Sequence, residues 1–232
     1  MNKWTCGRCQ HQWSSVSFAV YWCPSCGAPK VYPHPLFVAL EGIDACGKGV
    51  QSRRLAETLG AARFSFPDYR TPIGEVIKDH LTEGWVAMVP DFQPYIADRT
   101  DALVFQALQS ANRLELAPNI AAELGEGRAV VADRYFGSGL VYGTADGLDL
   151  EYLERLHRYL PQPTHWILLD IDPETSASRR PERRDRYERD LDYMQKVCSL
   201  YRKIWIRYGW PIVDGRGSVE DVAGQIRDTI SV

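Results

Sequence analysis

The chain has 232 residues, 45% of them apolar and 25% charged, with a formal net charge of -3. That is enough for one α/β domain of ordinary size plus a small appendage, with a sizeable buried core. The charge balance offers no global attraction to a nucleic-acid polyanion, and no window approaches the roughly 18 consecutive apolar residues of a membrane span.

The first segment, Met1-Asn2-Lys3-Trp4-Thr5-Cys6, is too polar and cysteine-bearing for a signal peptide, so the expected compartment is cytoplasmic. Cys6-Gly7-Arg8-Cys9 and Cys23-Pro24-Ser25-Cys26 form two Cys-x-x-Cys pairs separated by positions 10 to 22. Two thiolates from each pair can complete one tetrahedral site, and four thiolates favour a closed structural Zn²⁺ ion over disulfides or free thiols. The spacer suits a β-hairpin carrying Trp13, Phe18, Val20 and Trp22. So short a segment has too little core to fold alone, and the metal would supply much of its folding free energy. Residues 1–30 therefore read as a zinc ribbon. Its formal cations are Lys3, Arg8 and Lys30, which ranks docking or oligomer contact above nucleic-acid binding. Val31-Tyr32-Pro33-His34-Pro35 is a short, stiff linker, and residues 36–232 form the main domain.

Leu36-Phe37-Val38-Ala39-Leu40 reads as a buried parallel strand, and Gln51–Leu59 as a helix stopped by Gly60. Between them Gly42-Ile43-Asp44-Ala45-Cys46-Gly47-Lys48 matches G-x-x-x-x-G-K in the strand–loop–helix setting the motif needs. The glycines let backbone N–H groups face a phosphate, the helix start adds positive potential, and Lys48 adds a full charge. The loop and the following Gly49 and Val50 are the expected ATP site. Gly49 replaces the usual Ser or Thr ligand of Mg²⁺, so the metal is expected on nucleotide oxygens, water and a carboxylate from elsewhere. Cys46 reads as a small space-filler and Cys198 as a core residue.

Further strand-like runs fall at Ala62–Phe66, Ala129–Ala132, Trp166–Ile171 and Pro211–Val213. Helical patterns fill Pro72–Leu81, Ile96–Leu124, Leu150–Tyr159, Tyr187–Tyr208 and Val219–Ile230. The alternation gives an α/β fold: a five-stranded, parallel, doubly wound P-loop sheet with helices on both faces. Arg134 and Asp133 lie at the end of an apolar strand, where ligands of parallel sheets bind.

Five motifs in order give a resemblance to the thymidylate kinase family over residues 36 to 232. They are Phe37 through Lys48, Phe66-Pro67-Asp68-Tyr69-Arg70-Thr71-Pro72-Ile73-Gly74, Ser110-Ala111-Asn112-Arg113, Asp133-Arg134-Tyr135 with Ser138 and Tyr142, and Asp185-Arg186-Tyr187-Glu188. The resemblance implies transfer of the ATP γ-phosphoryl group to dTMP, with Mg²⁺ accompanying ATP, and a homodimer built through the long helices. It implies that Arg134 reaches the acceptor phosphate, that Asp133 organises Mg²⁺ or its waters, and that Asp44 turns to the acceptor 3′-hydroxyl. Arg113 would bond a pyrimidine carbonyl, Phe66 and Pro67 would pack the base, Ser138 would approach it, and Tyr142 would lie near the deoxyribose. The run Arg179–Arg186, with five arginines in eight residues, falls where the family places its ATP lid. Family members with a catalytic arginine in the phosphate loop carry it where Ala45 stands here, so Arg180, Arg184 and Arg186 are the expected catalytic lid cations.

The resemblance weakens at Gln109, which stands where the family has a phenylalanine that stacks on thymine. That leaves dUMP or a 5-substituted deoxyuridylate open as the acceptor. A regulatory nucleotide-binding protein with decayed catalysis is the alternative of another class.

Overall fold

The computed structural model describes residues 2–5, 12–15, 35–83, 98–180 and 190–230. In the N-terminal segment β1 (Asn2–Thr5) and β2 (Gln12–Ser15) pair antiparallel, with Trp4 opposite Trp13. The two strands pair across the first cysteine pair; of the hairpin expected in the spacer at positions 10 to 22, Trp13 falls on β2, and residues 16–22 lie outside the described residues. Cys6, Cys9, Cys23 and Cys26 themselves lie outside the described residues.

In the main domain the order runs β3 (Phe37–Glu41), α1 (Lys48–Leu59), β4 (Ala62–Ser65), α2 (Pro72–Glu83), α3 (Asp98–Gly125) and β5 (Val130–Asp133). It continues α4 (Phe136–Ala145), α5 (Leu150–Leu156), β6 (His165–Asp170), α6 (Pro173–Arg179), α7 (Leu191–Tyr208), β7 (Ile212–Asp214) and α8 (Val219–Ile230). The sheet order is β4-β5-β3-β6-β7, all parallel. β3 lies at the centre because helices cover both its faces, and Phe37 to Glu41 are all fully buried. A continuous apolar run is what such a strand requires. The chain fills one side of β3 with β4 and β5, then crosses to place β6 and β7 on the other. The carboxyl end of β3 is thus the switch point where a doubly wound sheet opens a crevice.

Helix ends follow local chemistry. Asp149, Asp172 and Asp190 each accept a backbone N–H three residues on, capping α5, α6 and α7. Gly60 and Gly209 close α1 and α7 in the left-handed conformation. α5 ends at Leu156, short of the expected Tyr159.

Two helices lie where the apolar period gives no signal. α6 is a seven-residue helix opened by the Asp172 cap and Pro173. α4, Phe-Gly-Ser-Gly-Leu-Val-Tyr-Gly-Thr-Ala, has three glycines and no polar face, yet eight of its residues are buried. Its glycines are demanded by packing. A Cβ at Gly137 would come within 2.7 Å of the Trp205 ring and 2.8 Å of Glu41 Oε1, and one at Gly143 within 2.8 Å of Leu153. These contacts let α7 and α5 pack tightly on α4.

Candidate active site

The phosphate loop turns at the end of β3. Gly42 has φ 141°, and a Cβ there would sit 2.5 Å from the Leu169 carbonyl oxygen, so both conformation and space require glycine. Gly47 also has a positive φ, 100°, and opens α1 by accepting the Val50 and Gln51 N–H groups. Lys48 is buried and donates from Nζ to the Ile43 carbonyl at 2.6 Å, inside the loop. Ile43 and Cys46 pack into the core, which bears out the reading of Cys46 as a filler, and Cys198 is likewise buried. Val50 is exposed on the first turn of α1.

Arg134 follows β5 in the left-handed region at φ 62°. That turn carries its side chain across the carboxyl ends of the strands. Nη2 donates to Asp44 Oδ1 at 2.8 Å, while Nη1 donates to the Gly42 carbonyl at 2.9 Å and to Ser138 Oγ at 3.0 Å. Its guanidinium lies 6.0 Å from the Tyr142 ring centroid. Burial alone would raise the Asp44 carboxyl, but the Arg134 and Lys48 charges and the Arg134 hydrogen bond hold it well below the usual carboxylate range. Asp44 is therefore an anion facing the cleft, with its acceptor lone pairs available.

Asp133 takes a different partner. Its Oδ2 accepts from Arg63 Nη2 at 2.7 Å, and Arg63 Nε donates to Ser52 Oγ at 2.8 Å. The same Oδ2 lies 3.4 Å from where a Cβ of Gly49 would stand, so the carboxylate borders the first turn of α1. Asp133 thus pairs with Arg63 and Arg134 with Asp44, and the two do not form a mutual ion pair.

Beside Arg134 opens a cavity of about 460 Å³ whose walls include Asp44, Phe66, Pro67, Gln109, Arg113 and Tyr142. Ser138 and Arg180 also line it, so every described residue expected at the monophosphate is brought together there. Arg113 is buried; Nη1 donates to the Gln109 carbonyl at 2.5 Å and Nη2 to the Tyr135 carbonyl at 2.8 Å. Burial pulls its guanidinium down to about 10, which still leaves it a cation at neutral pH. The wall made by Phe66 and Pro67 is braced from α3: Asn112 accepts the Asp68 N–H at 2.9 Å and donates to Thr71 Oγ1 at 2.8 Å, and Thr71 donates to Glu115 at 2.7 Å.

The loop is held from the other side by α6. Ser176 Oγ donates to the Asp44 carbonyl at 2.8 Å and Arg179 Nη1 to the Ala45 carbonyl at 3.3 Å. Ala45 itself is left-handed at φ 57°. Of the arginines expected in a lid, Arg180 borders both the main cavity and a smaller one beside Asp44. Arg184 and Arg186 lie outside the described residues.

Glu41 has a role that its place at the strand end does not announce. It is fully buried at the end of β3, where Oε1 accepts the N–H groups of Tyr135 and Ser138 at 2.8 and 3.1 Å and Oε2 accepts Ser138 Oγ at 2.5 Å. It thus caps α4, whose own N-cap residue, Tyr135, makes no capping bond to the helix start from its side chain. Glu41 follows an apolar run and precedes the loop glycine, a position that sequence alone reads as a strand end. Arg63 and Ser176 were likewise silent, because their partners are remote in the chain.

Comparison with known proteins agrees with this geometry. The thymidylate kinase family model matches residues 40–226. The chain is 31% identical over 204 residues to the thymidylate kinase of Schizosaccharomyces pombe, covering 84% of this chain and 90% of that protein. It is 32% identical over 198 residues to a probable thymidylate kinase of Thermococcus onnurineus, covering 82% and 95%. The solved structure of the Candida albicans thymidylate kinase superposes with a TM-score of 0.68 at 27% identity, covering 85% of this chain and 91% of that one. A matched phosphate loop, a matched sheet and a family model spanning most of the main domain lead to one conclusion: the chain belongs to the thymidylate kinase family.

Proposed function

We propose that this ATP-dependent nucleoside monophosphate kinase phosphorylates dTMP to dTDP. The observation that carries the reading is Arg134, fixed between the Gly42 carbonyl and Asp44 on the loop side and Ser138 on the cavity side. A cation there neutralises the place where donor and acceptor phosphates meet. Phosphoryl transfer needs positioning and charge neutralisation more than a strong base, since the acceptor phosphate is itself the nucleophile.

In this reading the loop from Gly42 to Val50 cradles the ATP phosphates and Lys48 adds its charge. Arg134 holds the acceptor phosphate. Asp44, kept ionised, accepts the 3′-hydroxyl of a deoxyribose, and Tyr142 packs on the sugar. Arg113 donates to a base carbonyl, Phe66 and Pro67 pack the base, and Gln109 takes the place of a stacking ring. Arg180, Arg184 and Arg186 bring lid charge to the transferring group, replacing the loop cation that Ala45 lacks. Mg²⁺ bound with ATP supplies Lewis-acid neutralisation of the phosphate oxygens. Asp133, bordering Gly49, is the carboxylate this chain offers to that ion or its waters.

Residues 1–30 read as a Zn²⁺ ribbon, 31–35 as a linker and 36–232 as the kinase domain. Support comes from the cysteine spacing and from the β1–β2 pairing, whose connecting residues include Cys6 and Cys9. Homodimerisation through α3 is supported by Leu103 and Leu114, exposed on one stripe three turns apart. No described helix is long and apolar enough to cross a membrane, in keeping with a cytoplasmic enzyme.

A steady-state panel of dTMP, dUMP, 5-hydroxymethyl-dUMP, dCMP, dAMP and dGMP with Mg²⁺–ATP tests the assignment. The highest kcat/KM is expected for dTMP. A 5-substituted deoxyuridylate in first place moves the acceptor to the alternative that Gln109 leaves open, and purine rates equal to dTMP sink the pyrimidine reading.

A further inference from the structure

Arg63 lies on β4, an edge strand of the sheet, opposite Val131 and two residues before the level at which Ser65 meets Asp133. Its side chain joins three elements. Nε donates to Ser52 Oγ on α1 at 2.8 Å, and Nη2 donates to Asp133 Oδ2 at the end of β5 at 2.7 Å. Ser52 is fully buried, whereas the Arg63 and Asp133 side chains are 30% and 13% exposed. A partly solvated ion pair adds little to stability, so stability alone gives weak reason for a strap of this geometry.

What the strap holds lies beside the phosphate loop. In P-loop enzymes a Ser or Thr after the loop lysine shares the hold on Mg²⁺ with a carboxylate from a neighbouring strand. Gly49 brings no hydroxyl, and the exposed Val50 brings none either. A Cβ at Gly49 would stand 3.4 Å from Asp133 Oδ2, an ordinary contact, so a serine there would set its hydroxyl beside that oxygen. Arg63 donates to this same oxygen.

The replacement suits the chemistry. A planar guanidinium, with one donor on Ser52 and another on Asp133, fixes the carboxylate more firmly than a lone ammonium would. It keeps its charge at neutral pH, and it has no lone pair with which to compete for a metal ion. Among the described residues Asp133 Oδ1 accepts no hydrogen bond, so the strap takes Oδ2 and leaves the other oxygen for an ion or its waters. Groups that orient a metal's ligands in this way typically change its affinity by roughly tenfold or more.

We propose that Arg63 is a positioning residue of the kinase: it holds Asp133 against the first turn of α1, the task that a hydroxyl at position 49 would share. The inference rests on the reading of Asp133 as the carboxylate offered to Mg²⁺ or its waters.

The test reads metal binding apart from turnover. Mn²⁺ titrations of the protein–ADP complex, followed by electron paramagnetic resonance of the free ion, compare the wild type, Arg63→Met, Asp133→Asn, Gly49→Ser and the double variant Arg63→Met with Gly49→Ser. ADP affinity in EDTA is measured beside them by calorimetry. Arg63→Met is expected to bind Mn²⁺ roughly tenfold more weakly, with ADP affinity in EDTA unchanged. Its turnover should need correspondingly more Mg²⁺, while KM for the monophosphate stays at the wild-type value. Gly49→Ser should bring Mn²⁺ affinity in Arg63→Met back to within about threefold of wild type and change the wild type far less, because hydroxyl and guanidinium serve the same oxygen. Wild-type Mn²⁺ affinity in Arg63→Met, beside a loss in Asp133→Asn, overturns the role of Arg63 and leaves Asp133 at the metal. Equal losses of Mn²⁺ and of metal-free ADP in Arg63→Met overturn it as well, since the loop itself is then damaged. An equal gain from Gly49→Ser in both backgrounds shows that the hydroxyl acts on its own and overturns the shared task. Unchanged Mn²⁺ affinity in Asp133→Asn removes the reading of Asp133 and this inference with it, and leaves the kinase assignment standing. Should Arg63→Met fail to fold, Arg63→Gln, which keeps a polar edge residue but loses the fork, is judged by the same outcomes.

Discussion

His157 is 1% exposed, stacked on Phe136 with ring centroids 5.3 Å apart, and neither ring nitrogen has a partner among the described residues. Burial, with the Arg113 charge a smaller contribution, lowers its pKa from 6.5 to about 3. The folded state therefore keeps this imidazole neutral where the unfolded chain would protonate it. Its contribution to stability is complete above pH 6.5 and is lost as pH falls from 6.5 toward 3. The slope approaches about 1.4 kcal/mol per pH unit once the unfolded histidine is fully charged. Urea unfolding at pH 7, 6 and 5 should show the wild type losing stability faster than His157→Leu, and the gap should widen steadily with acid. Parallel losses in the two proteins would mean that His157 binds its proton equally well folded and unfolded. The same burial logic runs the other way at Asp44, where two neighbouring cations overcome desolvation and keep a carboxylate charged.

At the scale of elements, the parts read correctly from sequence were those whose burial leaves a period or a run. The buried strands came out within a residue at each end, and α8 came out as Val219–Ile230 without change, because its apolar stripe faces the core. α4 was illegible because it is wrapped nearly all round and packed through glycines, so it has neither a polar face nor helix-forming residues. The site divides in the same way. The loop, Arg134 and Arg113 announce themselves by motif, whereas Glu41, Arg63 and Ser176 act through partners that only the folded chain brings near. Glu41 is the clearest case, since α4 starts on a carboxylate from another element. Glu41→Leu would leave two buried N–H groups at the helix start without an acceptor. At about 1–3 kcal/mol for each group, it should cost several kcal/mol in urea unfolding. Glu41→Gln, which retains one carbonyl oxygen, should cost distinctly less. Equal costs for the two variants would show that the loss comes from packing and not from the cap.

The whole molecule joins two solutions to the problem of folding. The main domain buries a five-stranded sheet, and the described walls of its cleft all fall between Asp44 and Met194. The N-terminal segment has one four-residue strand pair among its described residues, and an isolated two-stranded hairpin is marginal at best in water. If four thiolates close on Zn²⁺ there, metal binding and folding of that segment are one event. The purified chain should then carry about one zinc ion per molecule by elemental analysis, the stoichiometry of a closed four-thiolate site. Cys9→Ser should release it by opening the tetrahedron. Because no described residue of the cleft comes from the segment, kcat and KM for dTMP and ATP should stay at wild-type values in that variant. A zinc-free wild type would remove the ribbon from the molecule. Loss of both zinc and turnover in Cys9→Ser would keep the ribbon but make it a part of the catalytic unit, through contacts that reach the phosphate loop or the lid.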